Sequence, residues 1–136
     1  MTKSLIAAFI FASLIFIIVD GLWLSFAIKL LYKPALGSLL NEKPIIWATI
    51  LFYLVYTLGL FIIIIKPAII SDSIFQAFWT GIIFGLVAYG TYNLTNMAAI
   101  KNWSSDIVFI DMVWGSLLTG FTASTSVYLT KIFFSN

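Results

Sequence analysis

Residues 5–28 read LIAAFIFASLIFIIVDGLWLSFAI, an apolar run with one charge, at Asp20. A helical span of the hydrocarbon core needs about 20 consecutive apolar residues. Three further runs meet the same requirement: 45–65 and 74–100, both uncharged, and 107–129, with Asp111 near its start. A helix satisfies its own backbone hydrogen bonds in lipid, which an open sheet cannot do. The Ile-rich stretch Ile62 to Ile65 would suggest a strand in a soluble protein, but here length and lipid override that propensity. The expected fold is therefore all-α: one domain over residues 1–136, an integral membrane four-helix bundle, antiparallel and up-and-down.

Composition agrees. Of 136 residues, 62% are hydrophobic and 9% charged. A soluble domain carries about 25% charged residues, and this chain could not cover a water-facing surface. The net charge of +2, without a basic patch, gives no reason to expect a nucleic-acid partner. Cys is absent, which removes disulfides, thiolate chemistry and Cys metal sites. His is absent as well, and with it the usual metal ligand and the usual base near neutral pH. All seven basic residues are Lys, so no Arg fork for carboxylate or phosphate exists. Neither a cofactor nor a metal site is expected.

Lys33-Pro34 and Lys43-Pro44 bracket the first connection, Lys66-Pro67 ends the second run, and Lys101 to Ser104 separates the last two. Pro44 suits the first turn of a helix and Pro67 the position after one. Trp47, Trp79 and Trp103 fall near span ends, where aromatic belts form. The N-terminal run is too long for a signal peptide and has no good small-residue cleavage site after it, so it is expected to be retained. In the connection from Lys29 to Lys43, Leu36, Leu39 and Leu40 share a helical face. A short interfacial helix and an ordinary loop both remain open. Lys29, Lys33, Lys43 and Lys101 lie on one side, and Lys3, Lys66 and Lys131 on the other. The positive-inside rule then puts both termini on the non-cytoplasmic face of the cell's inner membrane.

The polar residues inside the spans follow a pattern. Asp20 and Asp111 each open an Asp-x-x-Trp sequence that ends in Trp23 and Trp114. The second run holds Thr49, Tyr53 and Tyr56; the third holds Tyr89, Tyr92, Asn93 and Asn96. At 1.5 Å rise per residue, Asp20, Tyr53, Asn93 and Asp111 lie about 10–15 Å in from the lysines at their span ends. Alternating helix directions bring them to one level on the Lys29 side. A charge at such depth costs about 2.5–3.5 kcal/mol, so it should face the bundle. Asp111, Gly115, Thr119, Thr122 and Ser126 form one inward stripe; Gly81, Gly85, Ala88, Tyr92 and Asn96 form another. Gly81-x-x-x-Gly85 lets helices approach closely. The candidate ligand-binding residues are Asp20, Trp23, Tyr53, Tyr92, Asn93, Asn96, Asp111 and Trp114. Mutual hydrogen bonding between helices is the structural alternative, and packing or an aromatic belt is the alternative role for the two Trp residues.

Four segments carry a resemblance: Val19 to Leu24, Tyr32 to Gly37, Gly85 to Asn96 and Asp111 to Gly115. In this order they resemble a family of small bacterial membrane proteins catalogued as domain of unknown function 2177. The resemblance covers nearly the whole chain and implies a four-helix membrane protein, without an activity. It also implies Asp as the common residue where this chain has Asn93. This chain then has one ionisable group fewer, which counts against a proton relay.

Three functions are open. A binding or accessory protein would hold a membrane lipid, a small polar ligand or a partner helix. A carrier or channel for a small solute or ion would use Asp20 and Asp111 as coordinating groups, and at this size would need a homodimer to enclose a path. An intramembrane lipid-modifying enzyme would use two carboxylates as acid and base. The first reading fits best: without His, Cys or Arg few reaction types remain, and no inverted repeat extends beyond the two Asp-x-x-Trp patterns.

Overall fold

The computed structural model describes residues 1–134. It contains four long apolar helices: α1 (Thr2–Leu39), α2 (Ile46–Ile70), α3 (Ile74–Ala99) and α4 (Ser105–Phe134). No strand occurs among the described residues, and the fold is an all-α membrane helical bundle. Neighbours run antiparallel, as side-chain pairs moving in opposite directions along two helices establish. Phe9 meets Phe61 and Phe16 meets Phe52 across α1 and α2. Phe11 meets Phe133 and Trp23 meets Trp114 across α1 and α4.

The connections are short because local chemistry ends each helix sharply. Gly37, at φ 54°, bends α1 into its last turn, Gly37–Leu39, in a conformation that costs glycine least. The Ser73 hydroxyl accepts the Gln76 backbone N–H at 3.1 Å and caps α3. The Ser104 hydroxyl accepts from Ile107 at 3.4 Å at the start of α4, whose first turn also carries Asp106.

Two helices run on where Lys-Pro was expected to stop them. The first span was expected to end at residue 28 and the second at 65; α1 reaches Leu39 and α2 reaches Ile70. Each crosses its proline by a wide π turn, Ile28–Tyr32 before Pro34 and Phe61–Ile65 before Pro67. In a regular helix a proline ring meets the carbonyl four residues earlier. Those carbonyls belong to Leu30 and Ile63, and both lie inside the widened turns. The Lys33 and Lys66 N–H groups bond five residues back, to Ile28 and Phe61. The leucines of the first connection thus belong to no separate interfacial helix; Leu36 and Leu39 continue α1. At its far end α4 is also longer than the expected 107–129.

α4 is the central helix: 56% of its most apolar stretch is buried, against 28% or less in the others. Its inward face carries Asp111, Gly115, Thr119, Thr122 and Ser126, all buried. α3 packs closely on it at glycines. A Cβ on Gly81 would lie 2.9 Å from the Gly120 backbone, and one on Gly115 would overlap the Tyr89 ring. The expected stripe on α3 holds through Ala88, which packs on the core, and departs from it at Tyr92, which turns outward, 55% exposed. The inward face passes instead through half-buried Tyr89 to buried Asn93.

The interior is layered. One half, near the start of α1, is mainly apolar: Ala8, Ala12, Leu60, Ile65, Ala123 and Val127, with the small hydroxyl residues Thr122 and Ser126 buried among them. A middle layer holds Phe16, Tyr56 and Leu118. The carboxylates and their partners lie beyond it, towards the α1–α2 connection. On the opposite face Lys131 pairs with Asp72 at 2.8 Å, both substantially exposed, which contributes little.

Candidate functional site

The polar layer is built around two buried carboxylates. Asp20, on α1, accepts the Tyr53 hydroxyl from α2 at 2.7 Å and the Trp114 indole N–H from α4 at 3.2 Å. Asp111, on α4, accepts the Tyr32 hydroxyl from α1 at 2.6 Å and the Asn93 amide from α3 at 2.6 Å. Each carboxylate therefore has both oxygens engaged, and every donor is neutral. Among the described residues the one salt bridge joins Lys131 to Asp72, so neither carboxylate meets a cation there.

The two centres are joined through the tryptophans. Trp23 and Trp114 stack, and each N–H points towards the other motif's acid. Trp114 donates to Asp20 directly, and Trp23 donates to the Tyr32 oxygen at 3.4 Å, which passes the contact on to Asp111. Two Asp-x-x-Trp motifs on antiparallel helices thus interlock reciprocally.

Of the eight candidates, six take part in this network: Asp20, Trp23, Tyr53, Asn93, Asp111 and Trp114. Tyr92 and Asn96 do not. The Tyr92 ring packs edge-on against Trp103 at 6.0 Å, outside the network, and no hydrogen bond joins Asn96 to either carboxylate. Tyr32 was missed. It stands in the Tyr32 to Gly37 segment, and treating Lys33-Pro34 as a helix end removed it from the span. Tyr56 forms a deeper contact, 2.8 Å from the Thr119 hydroxyl. Thr119 gives its own proton to the Gly115 carbonyl at 2.6 Å, so Tyr56 is the donor.

Two details bear on chemistry. Asn93 is fully buried and donates to both Asp111 and the Tyr89 carbonyl, which leaves its own oxygen without a donor. A cleft of about 360 Å³ opens between α1 and α2, with Asp20 and Tyr53 among its lining residues and Asn41 and Thr49 on its polar wall. Asp111 does not line it. The expected single cluster is therefore two linked centres, of which Asp20 is the one that borders the cleft.

The catalogued family of predicted membrane proteins, domain of unknown function 2177, matches over residues 5–128. That is nearly the whole chain. The chain belongs to this family. Residues 5–128 of the family match include every member of the network, from Asp20 to Trp114. No curated protein and no solved structure matches the chain.

Proposed function

We propose that this protein is a binding or accessory protein of the membrane that holds a lipid headgroup or small polar ligand in the cleft between α1 and α2. One observation carries the reading: Asp20, only 5% exposed and without a cationic partner among the described residues, borders that cleft. An uncompensated acid at membrane depth is costly and, where it occurs, is usually functional. A purely structural carboxylate would need no cleft beside it.

Transport by an oligomer ranks second. A path would have to cross the apolar half, where Leu60, Ile65, Ala123 and Val127 are fully buried and the α3–α4 glycine contacts leave no room. Lipid-modifying chemistry ranks third, since the two carboxylates are engaged with separate partners. We infer the cell's inner membrane from the four apolar helices, and both termini outside the cytoplasm from the lysine distribution.

Purification in a mild detergent followed by mass spectrometry tests the binding reading. A lipid or small molecule should co-purify in stoichiometric amount and be lost from Asp20→Asn that still inserts and runs monodisperse. Solute flux in liposomes that vanishes with Asp111→Asn would instead favour transport.

A further inference from the structure

The Asp20 cleft has a neighbour. A shallow apolar cleft of about 320 Å³ runs along one face of α2, with Trp47, Leu51, Val55 and Tyr56 of that single helix as its floor. Ala48 and Phe52 line both clefts, so the two adjoin. The first contains an acid, an amide and two hydroxyls, those of Thr49 and Tyr53; the second exposes almost no polar surface. Both open sideways on the apolar flank of α2, where Trp47 is 71% and Val55 61% exposed. A polar cleft that continues into an apolar one, on a surface bathed in lipid, has the shape of a site for an amphiphile.

The polar end also selects by charge. A carboxylate offers about four lone-pair positions, and Asp20 uses two. The Thr49 hydroxyl gives its proton to the Ile45 carbonyl at 3.0 Å, so its oxygen is left to accept. No Lys lines the cleft. An anionic head would find the Asn41 amide as a donor but would face the Asp20 charge, whereas an ammonium head would find acceptors and a compensating charge. The rings of Phe52 and Tyr53 in the same wall offer faces that attract cations.

We propose that the joined clefts bind one membrane lipid through an ammonium head, with the head at Asp20 and Thr49 and one alkyl chain along Leu51 and Val55. This rests on the binding function proposed above and adds the class of ligand. The probes are dodecylammonium, dodecanol and dodecanoate, each titrated into the full chain in a neutral maltoside detergent. Native mass spectrometry reads stoichiometry, and thermal shift reads affinity. Dodecylammonium should bind once per chain, about tenfold or more tighter than dodecanol, and dodecanoate more weakly than either. Asp20→Asn should bring the amine down to the level of the alcohol. Ala48→Phe, which fills the shared neck, should weaken amine and alcohol together and keeps the test open if Asp20→Asn fails to fold. Equal binding of amine and alcohol, or a preference that survives Asp20→Asn, overturns the ammonium assignment and leaves a binding cleft standing. Absence of saturable binding by all three probes, in protein with intact helical circular dichroism, overturns both.

Discussion

The indole rings of Trp23 and Trp114 lie face to face, with centroids 4.4 Å apart and planes 11° from parallel. This contact couples the two acids, since each ring also donates into the network on the other side. Aromatic pairs contribute about 0.5–1.5 kcal/mol beyond the area they bury. Trp23→Leu should therefore lower stability by more than a lipid-facing change such as Leu22→Ala, and should disturb both centres. Unfolding in mixed micelles compares the two variants; equal losses would make the stack incidental.

Tyr32→Phe removes the hydroxyl bonded to Asp111 and leaves the ring. Interhelical hydrogen bonds in membranes contribute about 0.6 kcal/mol on average and up to about 1.7 kcal/mol. The loss should fall in that range. In a double-mutant cycle with Asp111→Leu, which cannot bond the hydroxyl, the second change should cost less once the first is made. Strict additivity would show that the two side chains do not interact.

Asp111→Asn should be tolerated structurally. Its amide oxygen can accept from Asn93, and its amide N–H can donate to Tyr32, whose hydroxyl turns to suit. Asp20→Asn should likewise fold. The two should separate on ligand: Asp20→Asn should lose whatever co-purifies with the wild-type chain, and Asp111→Asn should keep most of it, because only Asp20 lines the cleft. Mass spectrometry of the purified variants checks this, and the reverse order would move the site to Asp111.

Gly85→Ala should destabilise the bundle more than Gly21→Ala. A Cβ at Gly85 would collide with the Gly115 carbonyl and the Thr119 hydroxyl, whereas one at Gly21 would meet nothing within 4 Å. Overpacking costs about 1–3 kcal/mol, and open surface sites usually change by less than about 0.5 kcal/mol. Midpoints of thermal unfolding in detergent give the comparison.

Reporter fusions after Lys3 and at Asn136 should both report the non-cytoplasmic face. Asn136 lies outside the described residues, but the assignment rests on the lysines. Activity of both fusions in the cytoplasm alone would reverse the topology and leave the helix count unchanged.

The spans were legible from run length alone, because lipid demands helices wherever about 20 apolar residues follow one another. The inward turn of Asp20, Asn93 and Asp111 followed from the cost of charge and unpaired amide at depth. What escaped was local. Lys33-Pro34 looks like a helix end to any rule built on regular α geometry, and nothing at residues 28–32 announces a wider turn. The error hid Tyr32. The choice between Tyr89 with Asn93 and Tyr92 with Asn96 as the inward pair depended on how α3 crosses α4, which is set by Gly81, Gly85, Gly115 and Gly120 meeting across the helices. No single helix contains that information.

A π turn holds one residue more than an α turn. The segments Ile28–Tyr32 and Phe61–Ile65 are therefore places where the length of the chain is negotiable. Deleting one residue from either removes the surplus and keeps the part that follows near its present rotation, but it returns the proline ring to the carbonyl four residues earlier. In the second segment the part that follows is the short end of α2 before the Asp72 turn. In the first it begins at Tyr32, so the surplus residue is what lets α1 pass Pro34 and still present the tyrosine to Asp111. A deletion there should therefore cost stability at the proline rather than shorten the reach of the span.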